Sequence, residues 1–543
     1  MQWSQQYNPL GSPLLSTLVA LVPVLLLLGL LSSHRVRAHW AAVIGLCASL
    51  AVAVFAVGMP ASMAARAALF GAAYGLFPIG WILLNVLFLY QLTVDRGLFV
   101  VLQESIAHLT TDRRLQLVLI AFSFGAFFEG AAGFGTPVAV TAALLIGLGF
   151  PALDASVYSL IANTAPVAFG ALGTPLIALQ GVTGLDLRDL SAMVGRQLPL
   201  FSMIIPFWVV AAYAGFRRTL EVWPALAVAG IAFAVPQYLV ATYHGPWLVD
   251  VTASVCSMGA LALFLRVWSP RNVESVVGSS AGASRDAVVA RSTAVLPDRA
   301  AVLRAWLPWA VLSVVVFAWG TPQVKSWLNT ISAPQIKILG LHELVLRLPP
   351  VVASAKPEAA VFSFNWLSAS GSGIAVAAII SGLLMGCSPR TMARTYAHNA
   401  RRLVPSLLTI SAMMALGYVT RYSGTDTILG LAFARTGTMY PFFGALLGWL
   451  GVALTGSDTS SNVLFGGLQV VTATTLGVNP ILMAAANSSG GVMGKMIDAQ
   501  SIVVAGAATN VRGQEGTILR RVFWHSIALA SLVGLFVMIQ AHI

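Results

Sequence analysis

The stretch "TGSDTSSN" at 455–462 places a carboxyl, several hydroxyls and an amide between two runs, 440–454 and 463–471, that are apolar enough to lie in lipid. A carboxylate at the centre of a membrane helix costs about 2.5–3.5 kcal/mol on insertion scales. Asp458 therefore needs either partners or a function. A second acid, Glu129, sits in "FFEGAAGFGTPVAV" (127–140), again among apolar and Gly residues. A carboxyl taken out of water holds its proton more tightly, which suits a group that gains and loses a proton. Acids inside membrane segments are by default functional. This chemistry makes Glu129, Asp458 and the nearby Asp498 candidates for proton coupling.

The other polar residues suit an anion. Lys495 is the only Lys or Arg within 115–187 and 440–509, and a carboxylate needs a cationic or dipolar partner. Thr459, Ser460 and Asn462 can hydrogen-bond a carboxylate or hydroxyl, as can Asn163, Thr164, Asn487, Ser488 and Ser489. Each has a structural alternative. Glu129 and Asp458 can cap a helix, and Ser, Thr and Asn are preferred N-caps. Lys495 can pair with Asp498 at i,i+3 or with Asp458. Arg196 and Gln197 read as interface residues rather than ligands.

The elements that hold these residues are membrane helices. Only 9% of the 543 residues are charged, against roughly a quarter in soluble domains. Apolar runs long enough to span a bilayer recur at 14–31, 40–57, 78–93, 306–319 and 523–541, and further crossings read at about 196–215, 222–242, 247–267, 367–387 and 403–420. The chain thus reads as an all-α polytopic membrane protein with about 12–14 transmembrane helices. The net charge of +12 sits in loops, which is the positive-inside pattern rather than a nucleic-acid surface. "HRVR" (34–37), "TDRR" (111–114), "FRR" (216–218), the stretch 266–304, "RTMARTYAHNARR" (390–402) and "RGQEGTILRR" (512–521) all read as cytoplasmic. Both termini and the Pro-rich stretch 322–366 then fall outside. The three cysteines are far apart and no metal-ligand spacing occurs.

Two stretches, 115–187 and 440–509, share one plan. Each is an apolar run broken by a Gly-rich polar patch, then a second run with a break opening on Ala-Asn, at Asn163 and at Asn487. The loop charges give the two copies opposite orientation. Inverted repeats with interrupted helices are the architecture of secondary transporters, with the site near the midplane between repeats. The chain divides into N-terminal helices (1–114), a first repeat with following spans (115–267), a Ser/Gly/Ala/Arg-rich linker (268–304), middle spans (305–421), and a second repeat with the last helix (422–543).

"FEGAAGFGTPVA", "NTAPVAFGALGTP", "GRQLP", "GWLGVALTGSDTSSN", "ANSSGGVMGKM" and "QSI" closely resemble the lactate permease family, over nearly the whole chain from "WSQQYNP" onward. One position departs: Asp498–Ala499 follow "GKMI" where the family pattern has Ser-Pro, which adds a carboxylate. The resemblance implies proton-coupled import of lactate- or glycolate-type anions across the bacterial inner membrane. The residues alone also allow sodium coupling, a channel or a membrane-embedded enzyme. For the enzyme, no dinucleotide fingerprint follows a strand and no His pair suits haem, so no cofactor is expected. The sequence sets no oligomeric state.

Overall fold

The computed structural model describes residues 2–32, 36–107, 109–131, 133, 136–270, 272, 298–352, 354–511 and 514–543. Most of the linker expected at 268–304 lies outside them, as do Ala132, Phe134 and Gly135 of the first Gly-rich patch. Among the described residues, ten helices are long and apolar enough to cross a membrane. Twelve result if the bent pairs Ala152–Ala162 with Val167–Thr183 and Leu187–Gln197 with Pro199–Ala214 each count as one span. Large apolar side chains such as Phe55, Leu69, Val314 and Trp524 point outward, as a lipid solvent requires. The segment Arg113–Ala131 differs from the rest. Its apolar window is 94% buried, against 28–56% for the other nine, so protein surrounds it nearly completely.

Two helical hairpins occupy the centre. In the first, Gly125 packs on Thr141, and Arg113 donates to the Gly149 carbonyl at 2.8 Å. The chain therefore turns back between Gly125–Ala131 and Thr136–Gly147. In the second, Tyr440–Thr455 and Asp458–Leu476 run antiparallel. Tyr440 donates to Gln469 Oε1 at 2.6 Å, and Ser461 donates to the Gly448 carbonyl at 3.0 Å. Gly456 makes the turn with φ 73°, a left-handed conformation that glycine adopts without strain. Each hairpin is followed by an interrupted helix.

The interruptions differ between the copies. Asn163 ends the helix Ala152–Ala162, and the chain bends by 66° before continuing to Thr183. Pro166 has no N–H to continue the helix. Asn487, expected to open the matching break, instead lies inside the unbroken helix Pro480–Gly494, together with Ser488 and Ser489. The break comes later, between Lys495 and Asp498. No proline follows Asn487, and its glycines serve packing instead. A side chain on Gly490 would overlap the Ala445 carbonyl, and one on Gly448 would overlap the Asn487 backbone. Small residues at such contacts let membrane helices approach closely.

One loop expectation is also corrected, and one helix is added. The basic stretch 390–402 forms the start of one 35-residue helix, Pro389–Ser423, capped by Ser388; nothing in it breaks a helix. The helix Ala61–Tyr74, preceding the expected span at 78–93, is an additional element.

The connecting segments gather in two groups. Strand Trp3–Ser4 pairs in parallel with Val345–Arg347, which pairs antiparallel with Lys356–Pro357. Glu358 joins this sheet to the end of the long helix through Arg421 at 2.6 Å. Elsewhere, Arg114 binds Asp112 at 2.8 Å and Glu221 at 2.9 Å, and donates to the Arg218 carbonyl.

A packing test follows. Gly448→Val and Gly490→Val should each lower the thermal unfolding midpoint of detergent-purified protein, since overpacking costs about 1–3 kcal/mol. Gly259→Ala, with open space around it, should leave the midpoint unchanged. Equal behaviour of all three would mean that the hairpin packing is looser than described.

Candidate functional site

The break in "TGSDTSSN" leaves few backbone groups unsatisfied. Gly456 N–H donates to the Val452 carbonyl at 2.8 Å, and the Thr455 hydroxyl bonds the carbonyls of Gly451 and Ser457. Ser457 caps the next helix by accepting from Ser460 N–H at 3.3 Å. The Gly456 carbonyl accepts from the Lys495 ammonium at 2.7 Å. Lys495 therefore ties the hairpin tip to the neighbouring break. It also pairs with Asp498 at 3.2 Å. Asp498 caps the helix Ala499–Ala508, accepting from Ser501 N–H at 2.7 Å. This carboxylate, which departs from the family pattern, is thus a helix cap and a counter-charge.

Behind the tip lies a dry polar network. The Ser488 hydroxyl donates to Asp458 Oδ2, which also accepts from the Asn462 amide at 3.3 Å. Asn462 donates in addition to the Pro175 carbonyl at 3.2 Å, linking this network to the first stretch. Asn487 donates to Asn462 Oδ1 at 2.9 Å and accepts from Gln469 at 3.1 Å. Asn462, Asn487 and Ser488 are fully buried. Their side chains are occupied with one another, and they orient Asp458. Asp458 keeps one oxygen, Oδ1, without a partner.

The two stretches meet at one cavity of about 160 Å³, space for several waters or a small organic anion. Glu129, Gly133, Ala171 and Thr174 line it from the first stretch; Asp458, Thr459, Ser460 and Lys495 line it from the second. Gln500 and Ser501 also line it; the sequence reading missed them because they follow the break rather than form it. Glu129 Oε2 has no hydrogen-bond partner among the described residues. A side chain on Gly170 would lie 2.7 Å from Glu129 Oε1, so a larger residue there would push this carboxyl aside. Next to it Ala171 and Leu172 hold left-handed backbone, φ 43° and 55°. Such strain persists where the surroundings over-determine it and clusters at functional sites.

The remaining candidates stand back from the cavity. Asn163 lies against the Glu129 carboxyl without a well-aligned bond. Thr164 commits its hydroxyl to the Ile161 carbonyl at 2.9 Å. Ser489 is fully buried and makes no hydrogen bond. Arg196 and Gln197 end the helix Leu187–Gln197 away from the cavity lining.

A wider vestibule of about 620 Å³ lies at the other end of the helix Gly170–Thr183. Ile177 and Gln180 line it, whereas Thr174 and Pro175 line the inner cavity. Tyr74 and Tyr418 line the vestibule beside Ile177. Lys325 lies 5.4 Å from the Trp247 ring centroid in this vestibule. Burial and the charge of Arg188 pull its ammonium below the usual lysine range.

A sequence model described as L-lactate permease matches residues 16–543. The chain belongs to the L-lactate permease family. It is 46% identical to glycolate permease GlcA of Escherichia coli (strain K12), over 100% of this chain and 98% of that one. It is 43% identical to an L-lactate permease of Bacillus subtilis (strain 168), over 100% and 99%. An L-lactate permease of Escherichia coli (strain K12) is 41% identical over 100% and 98%. This permease is a multi-pass membrane transporter, not an enzyme.

Lys495 supports a discriminating pair of variants. Lys495→Met should leave Asp498 buried without a counter-charge, a loss of about 3–5 kcal/mol, and should abolish uptake. Lys495→Met with Asp498→Asn should recover thermal stability, since Asn also caps helices. Uptake by the double variant should stay lost. Restored uptake would limit Lys495 to a structural role.

Proposed function

We propose that this permease imports small 2-hydroxymonocarboxylates, lactate and glycolate, together with protons. The observation that carries the reading is the single cavity shared by Glu129, Asp458 and Lys495, where two helix breaks meet. The names of the relatives supply the substrate class. The N-terminal turn of the helix Asp458–Leu476 opens on this cavity, and helix N-termini favour anions. In this reading Lys495 and that turn bind the carboxylate, while the hydroxyls of Thr459 and Ser460 meet the substrate's 2-hydroxyl. Asn163, Thr164, Asn462, Asn487, Ser488 and Ser489 shape and orient the site from behind. Asp498 holds Lys495 in place.

The two hairpins and their interrupted helices act as inverted repeats. Helix Gly170–Thr183 packs alongside Asp458–Leu476: Asn462 meets Pro175, and Gly466 meets Leu179 and Val182. This parallel run supports opposite entry of the two hairpins, because Gly170–Thr183 ends the first copy and Asp458–Leu476 is the return arm of the second hairpin. The sheet that Trp3–Ser4 forms with Val345–Arg347 and Lys356–Pro357, and the pair Gln335–Lys337 with Val361–Ser363, lie on the outer side of a plasma membrane. The vestibule is then the outer approach and the Glu129 cavity opens inward. Alternating access exchanges the barrier at Tyr74, Ile177 and Tyr418 for one on the inner side.

Glu129 is the proton carrier in this account, and Asp458 assists it. Sodium is the competing driver, since hydroxyl and carbonyl oxygens collect at the tip. The Gly456 carbonyl, however, already serves an ammonium. Labelled lactate and glycolate uptake into proteoliposomes under an imposed pH gradient decides the matter. Accumulation should follow the pH gradient and ignore sodium. Glu129→Gln mimics the protonated form, so it should lose gradient-driven accumulation yet keep counterflow, which needs no net proton release. Accumulation that tracks sodium, or concentrative uptake by Glu129→Gln, would overturn the proton reading.

A further inference from the structure

Asp250 is a buried acid outside the lining of the inner cavity. It begins the helix Val249–Phe264, is 1% exposed, and neither of its oxygens has a hydrogen-bond partner among the described residues. A buried carboxylate without a counter-charge costs several kcal/mol. Such a group is kept only where its surroundings or a proton accommodate it.

The surroundings offer no cation. The helix packs against Val118–Phe124, Gly125–Ala131, Gly170–Thr183, Trp223–Tyr243 and the turn Pro246–Leu248. Across those segments the one charged side chain is Glu129; the other titratable groups are Tyr238 and Tyr243. His244, just before the turn, lies against Trp247. Asp250 lies within the electrostatic reach of Glu129, which in turn feels the charges of Lys495 and Asp498 and has the Asn163 amide beside it. Contact between the acids' elements is close: a side chain on Gly130 would lie 2.6 Å from Asp250 Cβ. Lys495 offsets charge on Glu129 only, and no cation among the described residues offsets Asp250, so the two carboxyls cannot both ionise freely.

Their positions are also ordered. Trp247, three residues before Asp250, lines the vestibule, and Glu129 lines the inner cavity. We propose that Asp250 and Glu129 form one two-carboxyl proton-binding site, in which Asp250 exchanges its proton with the vestibule and Glu129 with the inner cavity. A proton from vestibule water binds an Asp250 oxygen. It passes to a Glu129 oxygen, leaving Asp250 as it began, and departs from Glu129 into cavity water. No other bond changes. This inference rests on the proton-symport reading and adds a second carrier to it.

The test uses full-length protein in proteoliposomes, with Asp250→Asn and Asp250→Glu beside wild type. Asp250→Asn should lose accumulation driven by a pH gradient and keep lactate counterflow; Asp250→Glu should regain part of the accumulation. The pH profile of counterflow adds a readout that a packing defect would not produce. Wild type should show two titration steps, which belong to the pair, and Asp250→Asn one. If wild type responds to the gradient and Asp250→Asn does too, the pair is wrong and the symport reading stands. If Asp250→Asn and Asp250→Glu both lose counterflow, Asp250 is a structural residue and the proposal falls. If wild type ignores the gradient, the symport reading fails and the pair with it.

Discussion

The bond from the Lys495 ammonium to the Gly456 carbonyl holds the central arrangement together. In a membrane interior, every helix end must find its hydrogen bonds within the protein. The hairpin tip and the later break each leave orphan backbone groups, and bringing them together satisfies both. The Gly456 carbonyl receives a cation, Asp498 neutralises that cation and caps the next helix, and Ser457 caps the helix that leads away. Once the breaks are joined, Asp458, Thr459 and Ser460 are forced onto the same small cavity as Glu129.

Close helix packing makes this junction possible. Gly448, Gly490 and Gly494 let the helices Tyr440–Thr455 and Pro480–Gly494 touch backbone to backbone, and Gly491 leaves room for the Asp458 carboxyl. The buried polar side chains Asn487 and Ser488 bond Asn462 and Gln469 of the helix Asp458–Leu476. Satisfied networks of this kind fix a unique geometry, because any unmade bond is costly at low dielectric. Among the buried oxygens that have no hydrogen-bond partner in the described residues are carboxyl oxygens of Glu129, Asp458 and Asp250. They are the places where a proton or substrate can enter the accounting.

Much of this was legible in the sequence. A polar octet between two apolar runs can only be a break, and Gly456 and Ser457 turn it as their residue types require. The i,i+3 spacing of Lys495 and Asp498 offers an ion pair as the structural alternative to anion binding, and the structure contains that pair. Asn487 misled, because its resemblance to Asn163 hid the absence of a proline; Pro166 ends one helix, whereas Gly490 only thins the other. Asp250 was passed over because "HGPWLVDV" reads as the edge of a span, where an acid is unremarked. Only the fold carries that edge inward against Gly130. The basic run 390–402 was read as a loop on charge alone, although it holds no helix breaker.

The claim that both breaks build one substrate cavity can be tested by chemical protection. With Cys47, Cys256 and Cys387 replaced by Ser, Thr459→Cys and Ala171→Cys would each be reacted with a small maleimide in membranes, with and without lactate or glycolate. The account predicts that either anion slows labelling at both positions, one on each stretch, while succinate does not. Protection at one position only, or at neither, would contradict a shared cavity.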